Sequence, residues 1–290
     1  MDPKPIYYNT YEFPIDVDNG DQSLTIANQD IERISDIKGL DDLTGLTYLD
    51  LSTNNIKRIE GLEKLVNLEV LNLSENQITK IEGLDSLVNL RRLTLYHNNI
   101  RHLEGLINNK NLDYLFLNRN QIERIEGLDG LSNLNELFLS GNRIMEISGL
   151  ENSKRLETLQ LHGNFIRKIS GLESLHDLRK LNLGENIIES IEGLDNLEKL
   201  IDLNLGTNRI RRIEGLDALV NLESLGLSQN FIREIRGLGK LAKLKELTLG
   251  DNPIPPDAID RLGGFRADQV ASTCVVDPQA FVRYCREHGL

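Results

Sequence analysis

From Leu46 onward the apolar residues follow one rhythm. A leucine pair separated by a single residue, as in Leu71 and Leu73 around Asn72, is followed by Ile78 and Ile81 and then by leucines three apart at Leu84, Leu87 and Leu90. Alternation around the pair predicts a short strand with both leucines on one face, because successive side chains of a strand point to opposite sides. The isoleucines predict a return of the chain toward the same core. Leucines three apart suit 3₁₀ turns better than an α-helix, since residues i and i+3 eclipse in the tighter helix.

The rhythm repeats every 22 residues. Asparagine marks it at Asn54, Asn76, Asn98, Asn120, Asn142, Asn164, Asn186, Asn208, Asn230 and Asn252, and glycine at Gly39, Gly61, Gly83 and onward to Gly237. The unit is LxxLxLxxNxIxxIxGLxxL, seen in LEVLNLSENQITKIEGLDSL. An eleventh, irregular copy starts at Leu24, where SLTIANQDIERI has Gln29 in place of the asparagine and SDIKGL carries three extra residues. A fixed period of this length is the signature of a solenoid. Stacked copies predict an α/β repeat solenoid with a parallel sheet of about eleven strands, roughly 4.8 Å apart. Asparagine has a specific task in such a stack. Its amide both donates and accepts, so a buried column can satisfy backbone groups where each coil turns, whereas aspartate would bring an unpaired buried charge.

Solenoid ends need covering, because terminal strand edges and core leucines are otherwise exposed. Residues 1–23, with Tyr7, Tyr8, Tyr11 and Phe13 before the turn-like DVDNGDQ, are read as an N-terminal cap containing a hairpin; residues 24–254 are the repeats. Residues 255–290 are read as a helical C-terminal cap. PPDAIDRL predicts a short helix, and DPQAFVRYCREHG a second with Asp277 as N-cap, Pro278 at its first position and Gly289 closing it. Phe281, Tyr284, Cys285 and His288 share one face, expected to dock on the last repeat.

Composition narrows the function. The 290 residues carry a formal net charge of -12. That argues against a general binder of nucleic acid or anionic membrane, both of which attract basic proteins. The start, MDPKPIYYNTYEFP, lacks a charged leader followed by an apolar run, and no later segment is long and apolar enough to span a bilayer, so an intracellular monomer is expected. Cys274 and Cys285 are the only cysteines. They form no disulfide framework or zinc cluster and are read as two buried small hydrophobes.

With its LxxLxLxxN units and IEGL turns, the chain resembles leucine-rich repeat proteins of the 22-residue class. Its copies are similar to those of the nuclear regulatory subunit of protein phosphatase 1 and, less closely, of bacterial internalins. The resemblance runs from Leu24 to about Pro253. It implies a right-handed horseshoe with strands lining the concave side, outer 3₁₀ turns on the convex side, and a partner protein on the concave face. It also implies a regulatory or adaptor subunit whose partner is a serine/threonine phosphatase or another signalling enzyme.

The residue between each leucine pair faces away from the core, and so do those flanking the pair. In LDYLFLNRN this places Phe116 on the concave side. Tyr48, Tyr96, Tyr114 and Phe138 fall there too, and Tyr96, Tyr114, Phe116 and Phe138 occupy three consecutive strands. Arg92, His97, Arg119 and His162 surround them, with Gln160 on the next strand. Aromatic and arginine side chains are enriched at binding hot spots. The four aromatic residues are read as apolar anchors for a partner protein, and the four basic ones as orienting it. A peptide or small-ligand receptor, and a scaffold whose rings stiffen the sheet by cross-strand stacking, are the alternatives.

Elsewhere a basic row (Lys57, Arg58, Lys80, Arg101, Arg124, Arg167, Lys168, Arg211, Arg212, Arg233) runs beside an acidic one (Glu60, Glu82, Glu104, Glu126, Glu192, Glu214). Interleaved, they predict a solvated, mutually compensating surface. Phe165 and Phe231, just after the asparagine, are read as neutral lateral surface, with a smaller lateral site as the alternative. No nucleophile, phosphate-loop or metal-ligand motif occurs. The chain is therefore read as a non-enzyme without cofactor or metal.

Overall fold

The computed structural model describes residues 6–18, 20–265 and 274–290. Residues 1–5 and 19 of the expected N-terminal cap, and 266–273 of the C-terminal one, lie outside the described residues. The chain divides into two compact units, Met1–Arg143 and Ile144–Leu290.

In the first unit, β1 (Ile6–Tyr8) and β2 (Tyr11–Phe13) form an antiparallel hairpin. Reciprocal bonds between the Tyr7 and Lys38 backbones fasten it to the first copy, and Ile6 is buried. A second antiparallel pair, β3 (Asp16–Asp18) and β4 (Asp21–Thr25), ends the sheet. The first copy's strand therefore begins at Asp21, ahead of Leu24. From β4 the sheet is parallel through β5 (Leu46–Asp50), β6 (Val70–Asn72), β7 (Arg92–Thr94), β8 (Tyr114–Phe116) and β9 (Glu136–Phe138). The second unit has the same parallel arrangement in β10 (Thr158–Gln160), β11 (Lys180–Asn182), β12 (Asp202–Asn204), β13 (Ser224–Gly226) and β14 (Glu246–Thr248). Each repeat copy supplies one parallel strand.

The alternation buries what it predicted. Leu71, Leu73, Ile78, Ile81, Leu84, Leu87 and Leu90 are all fully buried. Burying each such side chain contributes about 1.5–3 kcal/mol, which makes this repeated set the main source of stability. The asparagine column then stitches coil to coil. Asn76 Oδ1 accepts from Ile56 N at 3.0 Å, while its Nδ2 donates to Leu51 O at 3.0 Å and Leu73 O at 3.2 Å.

The outer segments are thinner than a helix. Leu87 N bonds Leu84 O at 3.0 Å and Leu90 N bonds Leu87 O at 3.1 Å, giving two successive turns closed at each buried leucine. Among the described residues, 3₁₀ helix occurs only at Ile34–Asp36 and Leu40–Asp42, in the first copy with its extra residues. A second asparagine row, absent from the sequence reading, ties these segments together: Asn67, Asn89 and Asn111 donate to the carbonyls of Thr44, Val66 and Val88. Two core leucine positions are polar. Asn109 replaces leucine and donates to Leu84 O and Leu87 O, and Ser153 is likewise buried.

At the C-terminal end, α1 (Pro256–Asp260) follows the last coil, and Val275 N bonds Leu247 O at 2.9 Å, so the 274–275 segment covers the edge of β14. In α2 (Pro278–His288) the Asp277 carboxylate accepts from Gln279 N at 2.9 Å, and Gly289 closes the helix with φ 66°. Gln279 Nε2 donates to Leu244 O at 2.7 Å and Arg286 reaches Gly239 O, so α2 docks on the outer segment of the last repeat. The docked face differs from the expected one. Phe281, Val282 and Cys285 are buried, whereas Tyr284 is half-buried and His288 exposed, their rings 4.5 Å apart. The buried arc is centred on Cys285, with Phe281 on one side and Val282 on the other; at about 100° per residue Tyr284 and His288 fall beyond Phe281, on the side turned away from Val282. Cys285 is buried, and this pushes its thiol above the ordinary value; Cys274 is only half-buried, because it sits on the covering edge segment.

The Asp277 cap gives a modest prediction. Burial alone would raise its pKa, but hydrogen bonds from Arg283, Ala280 N and Gln279 N hold the carboxyl below its ordinary range. Its stabilisation is therefore present above the unfolded-chain value of about 3.9 and is lost as pH falls through the lower folded value. Asp277→Ala is expected to cost about 1 kcal/mol at neutral pH, read by urea denaturation, and less in acid.

Candidate functional site

The sheet's solvent face in the first unit gathers most of the residues singled out above. Parallel register places Thr94, Phe116 and Phe138 side by side, and likewise Arg92, Tyr114 and Glu136. Phe116 and Phe138 stack with ring centroids 4.5 Å apart and planes at 15°. The Arg92 guanidinium lies over the Tyr114 ring, 4.7 Å from its centroid. Tyr96 and His97 meet at 5.7 Å. His97 and Arg119 sit at φ 56° and 54°, where the chain turns out of each strand, and both are exposed at the patch rim.

All four aromatic anchors are half-buried. Each ring is covered on one side by its neighbour, so it presents an edge and one face. A cation over an aromatic face gains about 0.5–1 kcal/mol at an exposed site, enough to bias the Arg92 rotamer while leaving its N–H groups toward solvent. Ordered rings and a held guanidinium lose little further freedom on binding.

Within the first unit Tyr48 stands apart. Tyr48 lies two strands from Arg92, with its hydroxyl donating to Asp50 Oδ2 at 3.3 Å. Asn72 Nδ2 donates to the same oxygen at 3.1 Å, a polar chain that the sequence reading did not assign. Burial first, then the Asp50 charge and hydrogen bond, raise the Tyr48 pKa. Gln160 and His162 belong to the second unit, where His162 Nε2 lies 3.5 Å from Glu185 Oε2. The largest exposure among repeat aromatics is elsewhere again: Phe165 is 51% and Phe231 55% exposed. Among the described residues no cluster of histidine, cysteine, aspartate or glutamate could hold a metal ion, and no helix is long and apolar enough to cross a membrane.

The charged rows pair along a diagonal. Arg58 meets Glu82 at 3.0 Å, Lys80 meets Glu104 at 3.8 Å and Lys168 meets Glu192 at 3.8 Å, each reaching one coil onward. The expected compensation fails near the C-terminal end of the repeats. There the glutamate that Arg212 would reach is replaced by Arg236, which itself pairs with Glu234 at 2.9 Å.

Comparison with known proteins places this geometry. The family model "Leucine Rich repeats (2 copies)" matches residues 66–108, 110–152 and 154–196, and "Leucine rich repeat" matches 22–78. No curated protein sequence matches significantly. Among solved structures, the functional domain of InlJ from Listeria monocytogenes, described as including a cysteine ladder, is 25% identical with a TM-score of 0.68 over 80% of this chain. This chain spans about half (49%) of that one's length. The ectodomain of the receptor kinase GASSHO1/SCHENGEN3 from Arabidopsis thaliana, in complex with CASPARIAN STRIP INTEGRITY FACTOR 2, is 26% identical, covering 73% of this chain and 31% of its own, with a TM-score of 0.60. The FLRT2 repeat domain, from an octameric complex with Latrophilin 3 and Unc5D, shares the fold at 23% identity and a TM-score of 0.74, covering 93% of this chain and 98% of its own. The period, the buried asparagine column and these matches agree: the chain is a leucine-rich repeat protein.

Proposed function

We propose that the chain is a protein-binding module whose first unit engages a partner protein on the solvent face of its sheet, the face expected to be concave. Tyr96, Tyr114, Phe116 and Phe138 are the apolar anchors; Arg92, His97 and Arg119 orient the partner. The observation that carries this reading is the aromatic cluster on and just beyond β7 to β9: Phe116 stacks on Phe138, Arg92 covers Tyr114, Tyr96 meets His97, and all four anchor rings are half-buried. Such surfaces mark interaction sites more often than they serve the fold. The plant ectodomain solved in complex with CASPARIAN STRIP INTEGRITY FACTOR 2 supports a binding role. In its narrower form, resting on the resemblance of the repeat, the chain is an intracellular, monomeric regulatory or adaptor subunit. Its partner is then a serine/threonine phosphatase or another signalling enzyme.

One observation favours a second reading. The Phe116–Phe138 stack is the geometry expected if the rings only stiffen the sheet. A Tyr114→Ala, Phe138→Ala double variant separates the two. On the binding reading it loses about 1–2 kcal/mol of stability, because the rings are only half-buried, and no longer captures from lysate a protein that the wild type retains. Unchanged capture together with a much larger stability loss assigns the rings to the fold.

A further inference from the structure

The second unit carries a separate surface. The segments 209–211 and 231–233 run side by side just after the asparagine column, joined by Phe231 N to Ile210 O at 2.8 Å. Ile210 and Ile232 point into the core and are fully buried, so Arg209 and Arg211 on one coil, and Phe231 and Arg233 on the next, all point outward. The following coil places Pro255 beside Arg233. Against it lies a groove of about 450 Å³ whose apolar wall is Ile235, Ala258, Leu262 and Tyr284 and whose rim carries Arg233, Glu234 and Arg261.

The charges here lack partners. Glu234 is engaged by Arg236 and Asp257 by Arg261, and among the described residues Arg209, Arg211 and Arg233 form no ion pair. In a chain of net charge -12, a cluster of unpaired arginines around an exposed phenylalanine is a local reversal of sign. The equivalent column in the first unit is different in kind, with Asn55, Gln77, Asn99 and Gln121 bonded to one another in pairs.

We propose that this lateral face is a docking site for a short acidic segment of a partner protein that carries an apolar or aromatic side chain. Its carboxylates pair with Arg209, Arg211 and Arg233, and its apolar side chain crosses Phe231 into the groove. Charge complementarity selects an anionic partner, and guanidinium forks match carboxylates bidentately. The groove's apolar wall offers a peptide side chain a place that a phosphate backbone does not use, Glu234 in its lining disfavours a phosphate, and the chain's net charge repels a long polyanion. This site is independent of the first unit's aromatic face.

The test uses the full chain and a phage-displayed library of random dodecapeptides, with counter-selection against an Arg211→Glu, Arg233→Glu variant whose fold is checked by circular dichroism. Surviving peptides should carry several aspartates or glutamates around a leucine, phenylalanine or tryptophan. Their affinity should fall about tenfold or more on charge reversal. It should also fall with Ala258→Arg, which fills the groove while leaving all three arginines in the sequence. Failure to recover any survivor overturns the proposal, as does recovery of neutral or basic ones. So does indifference to Ala258→Arg, or displacement of every survivor by a single-stranded oligonucleotide, which would assign the arginines to phosphate. Because the Tyr114→Ala, Phe138→Ala variant leaves this face intact, it should bind the same peptides unchanged.

Discussion

Gly105→Ala should cost about 3 kcal/mol, and Gly61→Ala only about 1 kcal/mol, although both glycines occupy the same place in the repeat. The backbone contribution is common to the pair: φ is 73° at Gly105 and 71° at Gly61, a left-handed conformation that an L side chain adopts at a cost of about 1–2 kcal/mol. What differs is the coil beneath. A Cβ on Gly105 would run into the carbonyl oxygen of Ile81, with the carbonyl carbon at 2.9 Å. On Gly61 the nearest atoms are the Ser35 Cα and N, at 3.7 Å, an ordinary contact. The first copy's three extra residues carry its chain away from the position that Ile81 holds. Neither clashing partner at Gly105 can yield, since the oxygen belongs to the backbone of a close-packed coil, so overpacking adds to the conformational cost. Urea denaturation of the two variants checks this. Equal losses would mean that conformation alone restricts the column and that the contact between coils is slack.

The two glycines also show what a periodic sequence reveals. A residue recurring every 22 positions states that something at that place is required, and its chemistry often says what: alternating leucines define direction, and an amide in a buried turn defines bonding. It does not reveal the departures. Gly61 fits the column as well as Gly105 does, and only the irregular coil below it changes its meaning. Asn109 and Ser153 stand at leucine positions of the core, and their burial depends on neighbours in adjacent coils rather than on their own segment. The outer row of Asn67, Asn89 and Asn111 is visible in the sequence as an asparagine before the last leucine of three successive copies. Its purpose rests on carbonyls 23 residues earlier, which a single copy does not display.

The candidate site divides the same way. Strand alternation correctly assigns Phe116 and Phe138 to the solvent side, yet it fixes only direction. Exposure depends on what stands on the neighbouring strands. Two phenylalanines in register shield each other, whereas Phe231, flanked by Arg209 and Arg233, remains open to solvent. The failure of charge compensation was also beyond a row-by-row reading. Pairing runs diagonally to the next coil, so whether Arg212 finds a glutamate is decided at Arg236, not beside it. Local pattern thus sets the fold, while the surface is set by substitutions one coil away.

The asparagine column allows the strongest test of the bonding argument, through a change that alters charge and almost nothing else. Asn120 is 7% exposed; its Oδ1 accepts from Ile100 N at 3.0 Å and its Nδ2 donates to Leu95 O at 2.9 Å and Leu117 O at 3.1 Å. Asn120→Asp keeps the acceptor but turns the donor into a second oxygen facing those carbonyls. Burial and the carbonyl dipoles both disfavour the anion, so its folded-state pKa lies above the unfolded value of about 3.9. The folded form then holds a proton that the unfolded form gives up, and stability falls as pH rises from about 4 through the raised folded value. At pH 7 the variant should lose about 3–5 kcal/mol relative to the wild type, the cost of an unpaired buried charge or of keeping it neutral. Near pH 3.5 most of that deficit should vanish, because a protonated carboxyl can donate to one carbonyl as the amide did. Asn120→Leu supplies the contrast. It leaves Ile100 N without a partner at every pH, costing about 1–3 kcal/mol with no titration, while Leu95 O and Leu117 O keep the Asn98 and Asn142 amides as donors. Denaturation curves at both pH values, taken as differences from the wild type, distinguish the cases. A pH-independent deficit in the aspartate variant would show that the column accommodates an anion, and that the amide's two-sided bonding is not why asparagine recurs there.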